Sequence, residues 1–324
     1  MHCKALEITK TQNNTLRRVG FELEFSGLTL EQTTDAVQSA LGGEAQEITV
    51  AERRVRHQEL GDFNIELDWA FLKRQAKKSA DEDDPSEWLK HLGDAARLLV
   101  PIEVVCPPIP NDRLESLTPM IEALRKAGAV GTEESLIAAY GLHINTEAPS
   151  LDAKVLHRYL RAFSLLQWWL VDAHQINISR KISPYIDLYP EDYLVRLLGQ
   201  DDVDIDDIFD DYLTYNASRN RALDLLPLLA ELDENRVRKA IDDPKIKARP
   251  AFHYRLPDCH IERPDWSCCE GWNTWWLVEK LAQEEKKLKQ LGDAFLNREL
   301  PIIGVNRNDW TDYLDQWLKD QEWV

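Results

Sequence analysis

Carboxylate, imidazole and amide side chains alternate with apolar residues in five short segments of the chain. In the first segment, VGFELEF at positions 19–25, Glu22 and Glu24 occupy every second position. Residues i and i+2 of a β-strand point to the same face, so this alternation predicts a strand with one polar and one apolar face. The polar members of the other four segments are Asn64, Glu66 and Asp68; Glu103; His143 and Asn145; and His253 and Arg255.

If the five strands share one sheet, their polar faces place up to five carboxylates beside a single arginine. Like charges at such spacing destabilise a fold unless a cation neutralises them or their pKa values rise. Carboxylate oxygens with some imidazole suit Mg²⁺ or Mn²⁺. The shared face therefore predicts a divalent metal site, although the pattern by itself specifies no reaction.

An amphipathic sheet with its polar face in water is the competing interpretation. Each strand taken alone favours it, because half-solvated antiparallel sheets are common. Solvent-facing strands usually mix Lys, Thr and Ser with Glu, however, and lysine is absent from all five polar faces. The missing lysines favour the metal site.

The elements that must position these residues are predicted from periodicity and capping signals. Strands are expected at residues 19–25, 45–50, 63–69, 101–105, 140–146 and 251–256. Helices are expected at residues 30–41, 86–99, 112–127, 152–173, 272–291 and 309–319, with a loop at 73–84. Residues 190–241 are predicted to be mostly helical and broken by the acidic run at 201–211. We expect one α+β domain over residues 1–324, with a core at 15–280, a helical insertion at 190–245 and C-terminal helices at 272–322.

Several classes of protein are unsupported by the sequence. No GxxxxGK[ST], GxGxxG or GxSxG motif occurs, which argues against a P-loop, a dinucleotide-binding fold and a hydrolase nucleophile elbow. The 57 acidic and 39 basic side chains give a net charge of −18, so nucleic acid is not expected as a partner. No apolar run approaches the roughly 18 residues of a membrane-spanning helix, so no membrane partner is expected.

The five cysteines show no CxxC pair and no repeated spacing. An odd number without a framework predicts reduced thiols and neither a disulfide nor a zinc site. The N-terminus lacks the apolar stretch of a secretory signal. Together these features predict a cytoplasmic protein.

Six segments resemble, in order, the amidoligase family related to glutamine synthetase and glutamate–cysteine ligase. They are RVGFELEF at 18–25, ELDW at 66–69, PIEVV at 101–105, GLHIN at 141–145, NASRNRALDLLP at 216–227 and FHYRLP at 252–257. The resemblance implies a curved antiparallel sheet of the glutamine-synthetase catalytic type, with helices packed on its apolar face. It also implies an ATP-dependent carboxylate–amine ligase that forms an amide through an acyl phosphate.

The resemblance further implies roles for individual residues. Glu22, Glu24 and Glu103 would bind Mg²⁺ or Mn²⁺, and Glu66 or Asp68 would complete the set. His143 would bind a metal or a phosphate oxygen of ATP, whereas Asn145 and His253 stand where relatives carry a second His and a metal-binding Glu. Neutralisation of the transferred phosphoryl group would come from Arg255, Arg219 or Arg221.

The resemblance leaves the substrates open. They would be a small-molecule or peptide carboxylate and an amine or ammonia, and some relatives are associated with a glutamine amidotransferase partner. Arg180, Lys181 and Tyr185 are candidates for holding the substrate carboxylate, with a plain surface role equally compatible.

Two other functions remain compatible with the sequence. A magnesium-dependent phosphohydrolase or phosphotransferase would keep the metal site and change the reaction. A non-catalytic interaction protein would instead use the acidic helical region at 190–245 as a binding surface.

Overall fold

The computed structural model describes residues 1–68, 100–133, 140–174, 176, 186–299 and 304–324. Within these ranges the chain forms nine α-helices and nine β-strands, and the strand pairs whose register is defined are antiparallel. This mixture confirms the predicted α+β class. The chain divides into a first unit, residues 1–3, 18–144 and 257–271, and a second unit, residues 4–17, 145–256 and 272–324. The expected single domain stays a prediction, and so does the insertion at 190–245.

The first unit contains most of the strands. They are β1 (Arg18–Phe25), β2 (Glu44–Thr49), β3 (Glu52–His57), β4 (Gly61–Leu67), β5 (Ile102–Val105), β6 (Ile109–Pro110) and the first half of β7 (Leu142–Glu147). Their order is β2-β3-β4-β5-β1-β7, and β6 pairs with β1. Phe21, Leu23 and Ile65 are completely buried on the apolar face. The predicted strands at 19–25, 45–50, 63–69, 101–105 and 140–146 are thus all present, with ends shifted by at most two residues; position 69 lies outside the described residues.

Strand β3 was not predicted from the sequence. Its residues, ERRVRH, include one buried apolar side chain, Val55, so the period-two signal is missing. The strand is held between β2 and β4 by polar partners instead. Arg54 Nε donates to Asn64 Oδ1 at 2.8 Å, and Arg53 and Arg56 pair with acidic residues of the neighbouring strands. Cross-strand polar pairs of this kind stabilise a strand without the apolar alternation that marks a strand in the sequence.

Two helices of the first unit pack beside this sheet. Helix α1 (Leu30–Leu41) begins at the predicted cap Thr29, which forms a capping box with Gln32, and its C-cap is Gly42. It packs on β3, β4 and α2 (Thr118–Ala127), and α2 ends at Gly128, whose φ of 107° suits glycine. The helix predicted at 112–127 needs one correction, because Leu114–Leu117 forms a 3₁₀-helix.

The second unit is mostly helical. Its strands are the second half of β7, β9 (Ala251–Tyr254) and β8 (Leu223–Asp224), in the order β7-β9-β8. Its helices are α3 (Ala153–Ala173), α4 (Glu191–Leu198), α5 (Ile205–Asn216), α6 (Leu226–Ala240), α7 (Cys268–Gln283, which begins in the first unit), α8 (Glu285–Leu296) and α9 (Arg307–Asp320). Helix α3 packs against α4, α5, α8 and α9, and α6 packs on β9. The long predicted helix at 152–173 is confirmed.

Two predictions in the helical regions require correction. The acidic run at 201–211 does not simply interrupt the helices, because helix α5 begins inside it. Asp204 caps that helix with Asp207, and carboxylates in a first turn are favourable beside the helix dipole. The predicted helix at 272–291 is two helices, because Glu284, with φ −95° and ψ 68°, separates α7 from α8. The loop predicted at 73–84 and the helix predicted at 86–99 lie outside the described residues.

A disulfide joins Cys3 to Cys269 within the first unit. The prediction of five reduced thiols is therefore wrong for these two residues. Their separation of 266 positions produces no recognisable spacing, so cysteine arithmetic could not reveal the pair. Cys106, Cys259 and Cys268 are free and buried. None of the helices in the described ranges combines the length and the apolar character that a membrane crossing requires.

We expect His157 in helix α3 to lower the stability of the folded protein as the pH falls. This side chain is 5% exposed, and its Nε2 lies 3.1 Å from the carbonyl oxygen of Leu197. Burial lowers the pKa of His157 from 6.5 to about 4. Between these two pH values the unfolded chain binds a proton that the folded protein does not bind, so stability falls as the pH falls through this window.

We expect the variant His157→Gln to lose about 3 kcal/mol less free energy of unfolding than the wild type between pH 7 and pH 4. Urea unfolding at both pH values measures the difference, in which the titration of all other groups cancels. His2→Gln, at an exposed histidine, is the control. Equal acid losses in the wild type and in His157→Gln would contradict the assignment.

Candidate active site

Four carboxylates of the first unit lie on three neighbouring strands, and we call them the acidic cluster: Glu22, Glu24, Glu66 and Glu103. The register places Glu103 of β5 directly opposite Glu24 of β1 and also opposite Glu66 of β4. Cβ atoms of directly opposed residues are about 4.5–5.5 Å apart in antiparallel pairs. The structure therefore brings these four predicted residues together on one face of the sheet.

His143 of β7 lies against two members of the acidic cluster. Its Nδ1 is 3.0 Å from Glu22 Oε2, and its Nε2 is 3.8 Å from Glu24 Oε1. Glu24 Oε2 in turn accepts a hydrogen bond of 2.8 Å from the backbone N–H of Gly141. The side chains of Glu22 and His143 are only 14% and 13% exposed. These contacts fix the orientation of the imidazole and of both carboxylates before any ligand arrives.

The electrostatics of the acidic cluster are unfavourable without a cation. Burial raises the pKa of Glu103 well above its usual range, and the charges of Glu22, Glu24 and Glu66 raise it further. Burial chiefly, with a contribution from Glu22, also raises the pKa of the Cys106 thiol. A buried carboxyl among like charges either retains its proton or takes a positive partner.

The donor atoms fit a divalent metal ion. One ligand atom each from Glu22, Glu103 and His143 lie within 4.8 Å of one another. Two carboxylates and an imidazole are the donors that Mg²⁺, Mn²⁺ and related ions accept. Glu24 and Glu66 lie directly beside this triad in the sheet register.

Asp68, the alternative to Glu66 as a further metal ligand, stays a prediction. It follows the last residue of β4, and its backbone N–H donates to the carbonyl oxygen of Pro101 at 2.9 Å. It is not part of the triad of ligand atoms that the described residues form at this site. The predicted substrate residues Arg180, Lys181 and Tyr185 lie outside the described residues.

In the second unit, Arg255 lies beside a buried carboxylate. Its Nη2 is 3.3 Å from Asp224 Oδ2, and Asp224 is completely buried. Burial raises the pKa of Asp224 from 3.8 to about 6, against the opposing charge of Arg255. Asp224 also faces His253 in the register between β8 and β9, and His253 is itself buried.

Sequence reasoning found Arg255 and His253 but missed Asp224. The segment LDL at 223–225 carries the same alternation as the other strands. It spans only three residues between stretches with helical character, so the sequence pattern predicts a helical region there.

The remaining predicted residues of the second unit have well-defined partners. Arg221 donates from Nη1 to the carbonyl oxygen of Leu188 at 2.7 Å and from Nη2 to that of Tyr215 at 2.8 Å. Arg219 Nη1 lies 3.5 Å from Asp243 Oδ2. Asn145 is buried on β7. A cavity of about 410 Å³ adjoins Arg221 and is lined mainly by apolar side chains, with Asp187 and Arg307 among the residues around it.

Comparison with known protein families gives a match over most of the chain. The model of the family described as "Putative amidoligase enzyme" matches residues 15–277. The matched range includes the acidic cluster, His143 and Arg255. No curated protein matches the chain.

Proposed function

The chain belongs to the amidoligase family, and from this premise we propose that it is an ATP-dependent carboxylate–amine ligase. The proposal extends to the fold, a curved catalytic sheet of the glutamine-synthetase type. The substrates would be a small-molecule or peptide carboxylate and an amine or ammonia. Where ammonia is the amine, a glutamine amidotransferase partner would supply it.

The observation that carries the proposal is the half-buried triad of Glu22, Glu103 and His143 at the acidic cluster. The raised pKa of Glu103 reflects burial and the surrounding negative charge, which a divalent cation would offset. Mg²⁺ or Mn²⁺ at this face would supply positive charge to the phosphates of ATP. Solubility alone does not require a sheet face to carry four clustered carboxylates.

The protein's own residues would orient the groups that bind the metal ion and hold them in place. With its proton on Nδ1, His143 donates to Glu22 and presents the lone pair of Nε2 to a ligand. The hydrogen bond from Gly141 holds the carboxylate of Glu24 in place. Such preorganisation lowers the barrier because the groups need not reorganise during the reaction.

The proposed reaction has two steps. A carboxylate oxygen of the substrate attacks the γ-phosphorus of ATP, which forms an acyl phosphate and releases ADP. The amine nitrogen then attacks the acyl carbon, loses a proton and displaces phosphate. The roles of Arg219, Arg221 and Arg255 in neutralising the transferred phosphoryl group, and those of Asn145 and His253 in ATP binding, belong to the same proposal.

Hydroxylamine trapping tests this reaction. Hydroxylamine attacks an acyl phosphate to give a hydroxamate and phosphate, so we expect hydroxamate and ADP to appear together when a suitable carboxylate is present. The assay would use Mg-ATP with glutamate, aspartate, other dicarboxylates and short peptides as carboxylates. Omission of ATP is the control for non-enzymatic hydroxamate.

Two outcomes would contradict the ligase proposal. ADP release without hydroxamate from any carboxylate would favour a phosphohydrolase or phosphotransferase. A folded protein that releases no ADP and does not bind Mg-ATP would favour an interaction protein.

A further inference from the structure

A second group of potential metal ligands lies in the first unit, outside the acidic cluster. We call Glu133, His260 and Glu262 the loop cluster, because all three lie outside helices and strands. One ligand atom from each lies within 4.8 Å of the other two. No sequence pattern indicates this group, since 126 residues lie between Glu133 and His260 and loops carry no periodic signal.

Backbone contacts build the loop cluster from two segments. The N–H of Thr132 donates to the carbonyl oxygen of Cys259 at 2.8 Å, and the N–H of Glu133 donates to Glu262 Oε1 at 2.7 Å. Gly131 leaves the space that this arrangement needs, because a Cβ there would lie 2.2 Å from Glu262 Oε2. The backbone hydrogen bond from Glu133 therefore holds the carboxylate of Glu262 in a fixed position.

His260 provides an independent indication of a ligand. The side chain is only 6% exposed, and its Nδ1 has no hydrogen-bond partner among the described residues. Buried polar atoms are nearly always hydrogen-bonded, so such an atom calls for an explanation. A ring nitrogen of this histidine lies within 4.8 Å of carboxylate oxygens of both Glu133 and Glu262. A metal ion at that point would bind the imidazole and both carboxylates.

The local charge is negative even after the nearest cation is included. Arg263 forms an ion pair with Glu133 through Oε1. The carboxyl group of Glu270 is close enough to interact electrostatically with His260, Arg263 and Glu133, and that of Asp265 is close enough to interact with Glu270. Arg125 also lies at this loop, where it donates to the carbonyl oxygens of Ile261, Pro264 and Trp266. Two arginines thus lie near the four carboxyl groups of Glu133, Glu262, Asp265 and Glu270, and the charge that remains suits a divalent cation.

We propose that the loop cluster is a second divalent-metal site that binds a first-row divalent cation such as Mn²⁺ or Zn²⁺. An imidazole with two carboxylates is a donor set that both ions accept. The ion fastens the segment around Glu133 to the segment around His260 and Glu262. Its role is structural, and the site is independent of the proposed ligase chemistry.

The test measures Mn²⁺ binding by electron paramagnetic resonance, with the metal alone and no ATP. The full-length variant Glu22→Gln/Glu24→Gln serves as the background, because it lacks two carboxylates of the acidic cluster. We expect this background to retain one Mn²⁺ site. Adding His260→Ala or Glu262→Gln is expected to weaken that site by at least about 10-fold, since each removes a ligand. Glu122→Gln, which removes one exposed carboxylate of the same unit, is the matched control and is expected to change nothing.

Either of two results would overturn the proposal. One is a background variant that binds no Mn²⁺, and the other is equal Mn²⁺ affinity with and without Glu262→Gln. If His260→Ala fails to fold, the near-isosteric Glu262→Gln decides the question. The background variant already lacks two carboxylates of the acidic cluster, so this test measures the loop cluster separately. A negative result here does not contradict the ligase proposal, and a negative result for the ligase proposal does not affect this test.

Discussion

Replacing both Glu22 and Glu24 with glutamine is expected to weaken magnesium-dependent ATP binding by about 100-fold or more, while the protein stays folded. Residues that merely support a metal ligand contribute about 10–100-fold to metal affinity, so the loss of two charged ligands should exceed that range. The amide oxygen of glutamine can still accept the hydrogen bond from Gly141. The substitution also removes two of the charges that crowd Glu103, so we expect no loss of stability in the absence of metal.

Isothermal titration calorimetry with ATP, with and without Mg²⁺, measures the effect. The matched control is Glu44→Gln/Glu122→Gln, which removes the same two charges from exposed positions of the same unit. If the control weakens binding as much as the cluster variant, general electrostatics and not ligation explain the result. If the wild type does not bind Mg-ATP at all, the prediction of a metal site on this face is wrong.

The strands that form this face were predictable because their signal is local. The alternation in β1, β4, β5 and β7 has period two, and it fixes which side chains share a face. Burial of Phe21, Leu23 and Ile65 on the opposite face confirms this reading. What the alternation cannot give is the order of the strands.

The order decides the chemistry of the cluster. Strand β5 lies between β4 and β1, so Glu103 is opposed by a carboxylate on each side. This central place explains why the pKa of Glu103, shifted first by burial, is raised further by its neighbours. Pairing between strands depends on contacts far apart in sequence, which a single sequence does not reveal.

The features that sequence reasoning missed share a physical cause. The disulfide between Cys3 and Cys269 and the loop cluster depend on partners that are distant in sequence, whereas strand β3 is held by polar pairs with β2 and β4. None carries a periodic apolar pattern, and each becomes visible only when the fold brings its members together. Asp224 is the exception. The residues around it alternate between apolar and polar, but this strand signal is short and the flanking residues have a helical pattern.

An ion pair in the interior of the second unit belongs to the same class of long-range features. Arg17 and Glu279 are 262 positions apart, and their side chains are 0% and 1% exposed. Two hydrogen bonds of 2.7 and 3.0 Å join them. Tyr159 and Trp275 also donate to Glu279, and Arg17 donates to two backbone carbonyl oxygens. The pair is therefore fully hydrogen-bonded, which is the condition under which a buried ion pair is tolerated.

Arg17→Met is expected to lower the free energy of unfolding by about 3–5 kcal/mol, because it leaves the carboxylate of Glu279 buried without its cation. The double variant Arg17→Met/Glu279→Leu is expected to recover part of that loss, since well-packed apolar residues can replace a buried ion pair at little cost. Urea unfolding of the three proteins measures both effects.

The exposed pair of Arg158 and Glu285 provides the matched control. Its atoms approach to 2.6 Å, but Glu285 is 73% exposed, so Arg158→Met should cost no more than about 1 kcal/mol. The same chemical change is thus made in helix α3 at the surface and at Arg17 in the interior. Similar losses of unfolding free energy in Arg17→Met and Arg158→Met would mean that the interior pair is hydrated or weakly formed. Such a result would contradict the prediction that burial makes the loss larger at Arg17.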